Sequence, residues 1–204
     1  MGAWLAQARF PSLRAFSSGR ESSDGGSERK CSGPPVWFFA VKCVRLPDGG
    51  EATREFVIHP GAVMIIAMLD DGRLVMERQY RYPIAKACIE IPAGKLEIGE
   101  DHLLCAQREL EEETGYTAKR WSYIRRIHPV ISYSTELIDI YLAEELIPGP
   151  SKLDDEEFLD VFAAPLEQLI AWVEEGEITD VKTTISAYWL DRYRRGLVKP
   201  QAIK

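Results

Sequence analysis

Residues 94–116 read GKLEIGEDHLLCAQRELEEETGY. A loop bounded by Gly94 and Gly99 leads into a segment with Leu103, Ala106 and Leu110 at helical spacing, and Gly115 stops it. The last turns of that helix hold Arg108, Glu109, Glu112 and Glu113. Glu112 and Glu113 follow Glu109 at i+3 and i+4, so all three carboxylates share one side. Like charges at those spacings cost about a few tenths of a kcal/mol per pair. Solvent, an Arg108–Glu112 pair at i+4, or a bound cation must offset this. An isolated Glu triplet is ordinarily a solvated helix face. A hard divalent ion, Mg²⁺ or Mn²⁺, suits converging carboxylates beside phosphates.

Outward from this segment, strands come first. WFFAVKCVRL (37–46) ends in the turn PDGGE, and Glu51 to Ile58 forms a second strand broken by His59-Pro60-Gly61. GAVMIIAML (61–69) is a continuous apolar run fitting a buried strand. Asp70-Asp71-Gly72 is a hairpin turn signal that predicts RLVMERQYR (73–81) as its pairing partner. Downstream, strands are expected around Trp121 to Ile127 and Leu137 to Leu142. An acidic loop, SKLDDEEF, then precedes the strand FLDVFAA. Pro165 is expected at the first position of a helix closed by Gly176, and Thr179 as the cap of a last helix. Val181, Ile185, Trp189 and Tyr193 form a stripe on that helix, read as a packed core face. Strands, helix, strands and two helices make an α+β chain, not a doubly wound one.

The chain of 204 residues is 46% apolar, enough to bury a core without staples. No apolar run reaches the roughly 18 residues of a membrane span. Cys31, Cys43, Cys88 and Cys105 lack CxxC spacing, which suggests neither a zinc site nor a disulfide scaffold. Residues 1–35 carry +2 and residues 36–204 carry −9. A body this acidic disfavours nucleic acid and anionic membranes as partners. Residues 1–35 are rich in Ser, Gly and Arg and are expected to lie outside the folded domain of 36–204. They read as a disordered tail of a cytoplasmic protein. Arg9, Arg14 and Arg20 among apolar residues alternatively suggest a transit peptide to the mitochondrial matrix.

Gly94, Glu100, Arg108, Glu109, Leu110, Glu112, Glu113 and Gly115 match the pattern G-x5-E-x7-R-E-U-x-E-E-x-G-U, and the stretch resembles the signature of the Nudix hydrolases. A chance match in such a chain is on the order of one in a million at background residue frequencies. Tyr116 departs from the usual aliphatic, at a packing position. The resemblance implies an α/β/α sandwich around a mixed sheet and cleavage of a diphosphate linked to another moiety. It implies metal binding by Glu109, Glu112, Glu113 and the Ala93 carbonyl, a tight turn at Gly94, and a brace between Glu100 and Arg108.

Residues 77–100, ERQYRYPIAKACIEIPAGKLEIGE, resemble the matching segment of ADP-ribose pyrophosphatases. That resemblance implies that Arg81 contacts the diphosphate and that Arg54 also contacts substrate. Both roles suit the planar guanidinium fork. In that branch the catalytic base comes from the acidic loop: Glu157 aligns best, then Glu156, with Asp155 behind them. Trp37 or Phe38 is expected to stack on adenine. An exchange of the N-terminal strands across a homodimer is also implied. The Pro-Gly pair frequent in this branch is missing from ISYSTEL (131–137). The alternatives are a Nudix hydrolase for a nucleotide sugar, a diadenosine polyphosphate or an oxidised nucleotide, and a non-catalytic ADP-ribose or NAD sensor.

Overall fold

A computed structural model of the protein describes residues 38–153 and 158–203. The strand β3 (Ala62–Ala67) is buried at every position, because it is covered on both faces. Its side chains alternate between two cores. Val63, Ile65 and Ala67 pack with Cys105, Ala106 and Leu110 of α1 (His102–Thr114). Met64 and Ile66 pack with Leu166 and Leu169 of α2 (Leu166–Glu174) and with Ala187 and Leu190 of α3 (Val181–Arg194). One period-two strand thus specifies a sandwich with α1 on one side and α2 and α3 on the other.

The sheet through β3 has five strands. β6 (Ala93–Lys95) pairs antiparallel with β3. On its other side β3 runs parallel to β8 (Ile138–Pro148). β8 pairs antiparallel with β7 (Tyr116–Ile127), which carries the short edge strand β10 (Gln201–Ala202). A second, antiparallel sheet places β4 (Leu74–Arg81) between β5 (Lys86–Glu90) and β9 (Leu159–Ala164). β1 (Phe38–Arg45) and β2 (Glu51–Ile58) form a separate hairpin. The α+β sandwich around a mixed sheet is therefore present.

Several local expectations change. The turn at Asp70-Asp71-Gly72 exists, with Leu69 N–H donating to Arg73 O at 2.9 Å. Yet β3 and β4 are not a hairpin: beyond one bridge, Met68 to Leu74, they part into different sheets. Both edges of β3 are already taken, by β6 and by β8. The cap of α3 is Asp180, not Thr179; its carboxylate accepts Thr183 N–H at 2.9 Å. Pro165 sits at the cap of α2, one residue before the first helical position. Of the α3 stripe, Trp189 is buried in the core with Ile185 and Tyr193 packed against it, and it stacks on Tyr193 at 5.2 Å between ring centroids, whereas Val181 at the start of the helix is exposed. No helix among the described residues is long and apolar enough to cross a membrane.

Candidate active site

α1 begins at Asp101, whose carboxylate accepts the N–H groups of Leu103 and Leu104 at 2.9 and 3.1 Å. It ends at Gly115, with φ +74°. A side chain at Gly115 would meet Ser151 N at 2.7 Å and Pro150 C at 2.9 Å, so the position requires glycine on both counts. Between these ends, Cys105, Ala106 and Leu110 are buried, and so is Glu113, which with Glu109 and Glu112 makes up the carboxylates of the signature, the box.

Arg108 organises those carboxylates. Its guanidinium donates to Glu100 from Nε at 3.0 Å and Nη2 at 3.1 Å. Its Nη1 lies 2.9 Å from Glu109 Oε1 and 2.9 Å from Glu112 Oε2. The hydrogen bonds from Arg108 hold the Glu100 carboxyl down at about 2, against its partial burial. The same contacts, led by Glu100, raise Arg108 further above the usual guanidinium range. A depressed carboxylate stabilises the fold above its unfolded pKa and loses that contribution as pH falls through the folded value. Wild-type Tm is thus expected to fall between about pH 4.5 and pH 2. Glu100→Gln is expected to lower Tm at pH 7 and flatten that acid limb. An unchanged limb in thermal melts across this range contradicts the brace.

Gly94 lets strand β6 close onto the helix. A Cβ there would overlap the Glu109 carboxylate, so the absence of a side chain creates the cradle in which that carboxylate sits. Next to it, Ala93 N–H donates to Glu113 Oε2 at 3.1 Å. The structure therefore brings Ala93, Gly94, Glu100, Arg108, Glu109, Glu112 and Glu113 together. It groups them around Arg108 and the Ala93 amide: among the described residues, no three acidic, His or Cys side chains close on one point. The residues fit a hard cation nonetheless, with carboxylate oxygens as donors and backbone pressed against them at a side-chain-free position.

Arg81 ends β4 and grips Glu90 side-on, Nε to Oε1 at 2.7 Å and Nη2 to Oε2 at 2.9 Å. Its side chain remains 43% exposed. The hydrogen bonds to Glu90 raise Arg81 against burial, and the field of Glu113 also reaches it. Arg81 is therefore within electrostatic reach of Glu113. Arg54 is exposed on β2 and donates to Thr53 O at 3.0 Å. Trp37, Asp155, Glu156 and Glu157 lie outside the described residues. His59 accepts Gly61 N–H on Nδ1 at 3.0 Å, a turn contact. A concavity of about 390 Å³ between Arg78, Tyr80, Phe158 and Asp160 opens on the other face of β4 from Arg81.

Two groups escaped the sequence reading. Asp139 on β8 accepts Arg126 Nε and Nη2 at 2.9 and 2.8 Å and Tyr123 OH at 3.1 Å, and it lies 2.5 Å from His102 Nδ1 at the start of α1. Burial would raise Asp139, but the Arg126 contacts outweigh it and hold the carboxyl low. The other group is Glu90 with Lys182 and Asp180. A charged residue inside the apolar alternation of CIEI (88–91) was a usable signal for Glu90. Nothing local pointed to its partner 92 residues away.

A strand, a Gly-turned loop and a Glu-bearing helix set in this sandwich define the Nudix class of fold and site. A NUDIX domain model matches residues 58–191, and the chain belongs to that family. It is 42% identical over 152 residues to the ADP-ribose pyrophosphatase of Bacillus subtilis (strain 168), covering 74% of this chain and 82% of that protein. It is 40% identical over 152 residues to the methanol dehydrogenase activator of Bacillus methanolicus, with the same coverage. The crystal structure of an ADP compounds hydrolase superposes with TM-score 0.71 at 21% identity, over 82% of this chain and 92% of that one, and so supports the fold.

Proposed function

We propose that the protein hydrolyses the diphosphate of ADP-ribose, or a related ADP-sugar, to AMP and ribose 5-phosphate, with Mg²⁺ as its metal and Mn²⁺ as a substitute. The observation that carries this is the box: carboxylates gathered against Ala93 and Gly94, with the Arg81 guanidinium within the field of Glu113. The Bacillus subtilis relative named ADP-ribose pyrophosphatase supports the substrate. Glu109, Glu112, Glu113 and the Ala93 carbonyl would hold the metal. When bound, Mg²⁺ supplies charge neutralisation on the phosphates and a water of lowered pKa. Arg81, with one guanidinium edge committed to Glu90, offers Nη1 to a phosphate oxygen. Arg108 keeps Glu109 and Glu112 aligned on the helix. A carboxylate oxygen of Glu157, or else Glu156, takes the proton of the attacking water.

The protein is further proposed to be a homodimer. Phe38, Phe39 and Val41 on β1 are each more than half exposed, apolar surface that a second copy of the hairpin would cover. Such an exchange would carry Arg54 and Trp37 to the partner's site. The folded unit is proposed as residues 36–204 of a cytoplasmic protein, with residues 1–35 outside it, or as a mitochondrial matrix protein if residues 1–20 direct it there.

A second reading, another nucleoside diphosphate derivative, draws support from the missing Pro-Gly pair in 131–137. A panel of ADP-ribose, nucleotide sugars, ATP and diadenosine polyphosphates with Mg²⁺ separates the two by chromatography. AMP is expected from ADP-ribose and not from ATP or diadenosine polyphosphates. Absence of AMP from ADP-ribose overturns the proposal.

A further inference from the structure

Behind Arg81 lies a cluster of charges outside the box. Glu90, its side chain only 5% exposed, accepts the fork of Arg81 on one side. On the other, Lys182 Nζ stands 3.1 Å from Glu90 Oε2 and 2.7 Å from Asp180 Oδ1. Asp180 also caps α3, accepting Thr183 N–H and Oγ1–H at 2.9 and 2.8 Å. Thr183 Oγ1 in turn accepts Ile91 N–H at 3.2 Å. The first turn of α3 is thereby fastened to residues 90–91, two positions before the Ala93 amide that holds Glu113.

Two cations and two carboxylates make this cluster neutral. Burial alone would lower Lys182, but Asp180 and Glu90 outweigh it and keep the ammonium charged. Buried ion pairs of this kind are weak contributors to stability, yet they orient their members. Glu90 takes both oxygens of its carboxylate to Nε and Nη2 of Arg81, and that leaves Nη1 outside this fork on a side chain that is 43% exposed. Without Lys182, Glu90 and Asp180 would present two negative charges to one guanidinium. Arg81 would then be drawn inward, away from any phosphate.

We propose that Lys182 is a positioning residue. Through Glu90 it holds the guanidinium of Arg81 with its open edge toward the substrate diphosphate. This rests on the proposed contact between Arg81 and that diphosphate.

The test uses the full chain, saturating Mg²⁺ and whichever diphosphate of the panel turns over fastest. Lys182→Met is expected to raise KM about tenfold, with kcat within about threefold, the pattern of lost substrate binding. Lys182→Arg is expected to restore most of KM. In an Arg81→Ala background, Lys182→Met is expected to add less than about twofold, because its effect passes through Arg81. Lys182→Gln replaces Lys182→Met if the latter does not fold, with a severalfold rise in KM expected. A merely structural lysine would lower Tm and leave KM unchanged, or multiply with Arg81→Ala; either result overturns the proposal. If Arg81→Ala itself leaves KM unchanged, the underlying contact fails and the proposal with it. If Arg81→Ala raises KM and neither Lys182 variant does, the proposal alone falls.

Discussion

Glu112→Gln or Glu113→Gln is expected to lower kcat at least about a hundredfold while far-UV circular dichroism stays unchanged. Phosphoryl transfer depends on placing charge against the phosphates, and a neutral amide cannot replace a carboxylate in that task. The fold should tolerate both changes. Glu112 is 40% exposed on its helix, bonded to Arg108. Glu113 is buried, and its contact with Ala93 N–H needs only an acceptor, which a Gln carbonyl supplies. Calorimetric titration with Mg²⁺ should show weakened binding in each variant. Retained turnover in both would end the assignment of these side chains to the metal.

Gly94→Ala should be as damaging by a steric route. The new Cβ overlaps the Glu109 carboxylate. Either Glu109 swings off Arg108, 2.9 Å away, or β6 is pushed from its pairing of Gly94 with Val63. Overpacking of this kind costs about 1–3 kcal/mol, and at this chain length each kcal/mol shifts Tm by about 2–4 °C. Turnover should fall about a hundredfold or more, because one carboxylate and the neighbouring Ala93 carbonyl move together. Gly94→Ala combined with Glu109→Ala separates the causes. The pair should melt like Glu109→Ala alone, the clash being gone, and remain inactive. A fully active Gly94→Ala enzyme would mean that the cradle has no bearing on catalysis.

Legibility in the chain followed distance along it. The helix of the box was readable as a segment after Gly99 stopped by Gly115, because spacing and a C-terminal glycine act within a few positions, while the structure sets its start at the Asp101 cap. The brace of Arg108 to Glu100 and Glu112 spans eight and four residues and was equally accessible. Strand partners were not. The run 61–69 read correctly as buried strand, yet its neighbours β6 and β8 were chosen by edges that no local pattern reports. β5 and β6 were not legible for a related reason: five and three residues carry too little alternation to signal a strand.

By itself, then, the sequence determined the chemistry: three carboxylates and an arginine set on one helix by a 3.6-residue repeat, a glycine at the turn before it, and the α+β order of elements. Only the tertiary structure decided what stands behind that chemistry. It brought Lys182 across 92 residues to Glu90, laid Gly94 against Glu109, and turned Asp139 toward His102. Spacing governs contacts a turn or two apart. Pairings between distant segments are settled by which faces and edges remain unfilled once the core has packed.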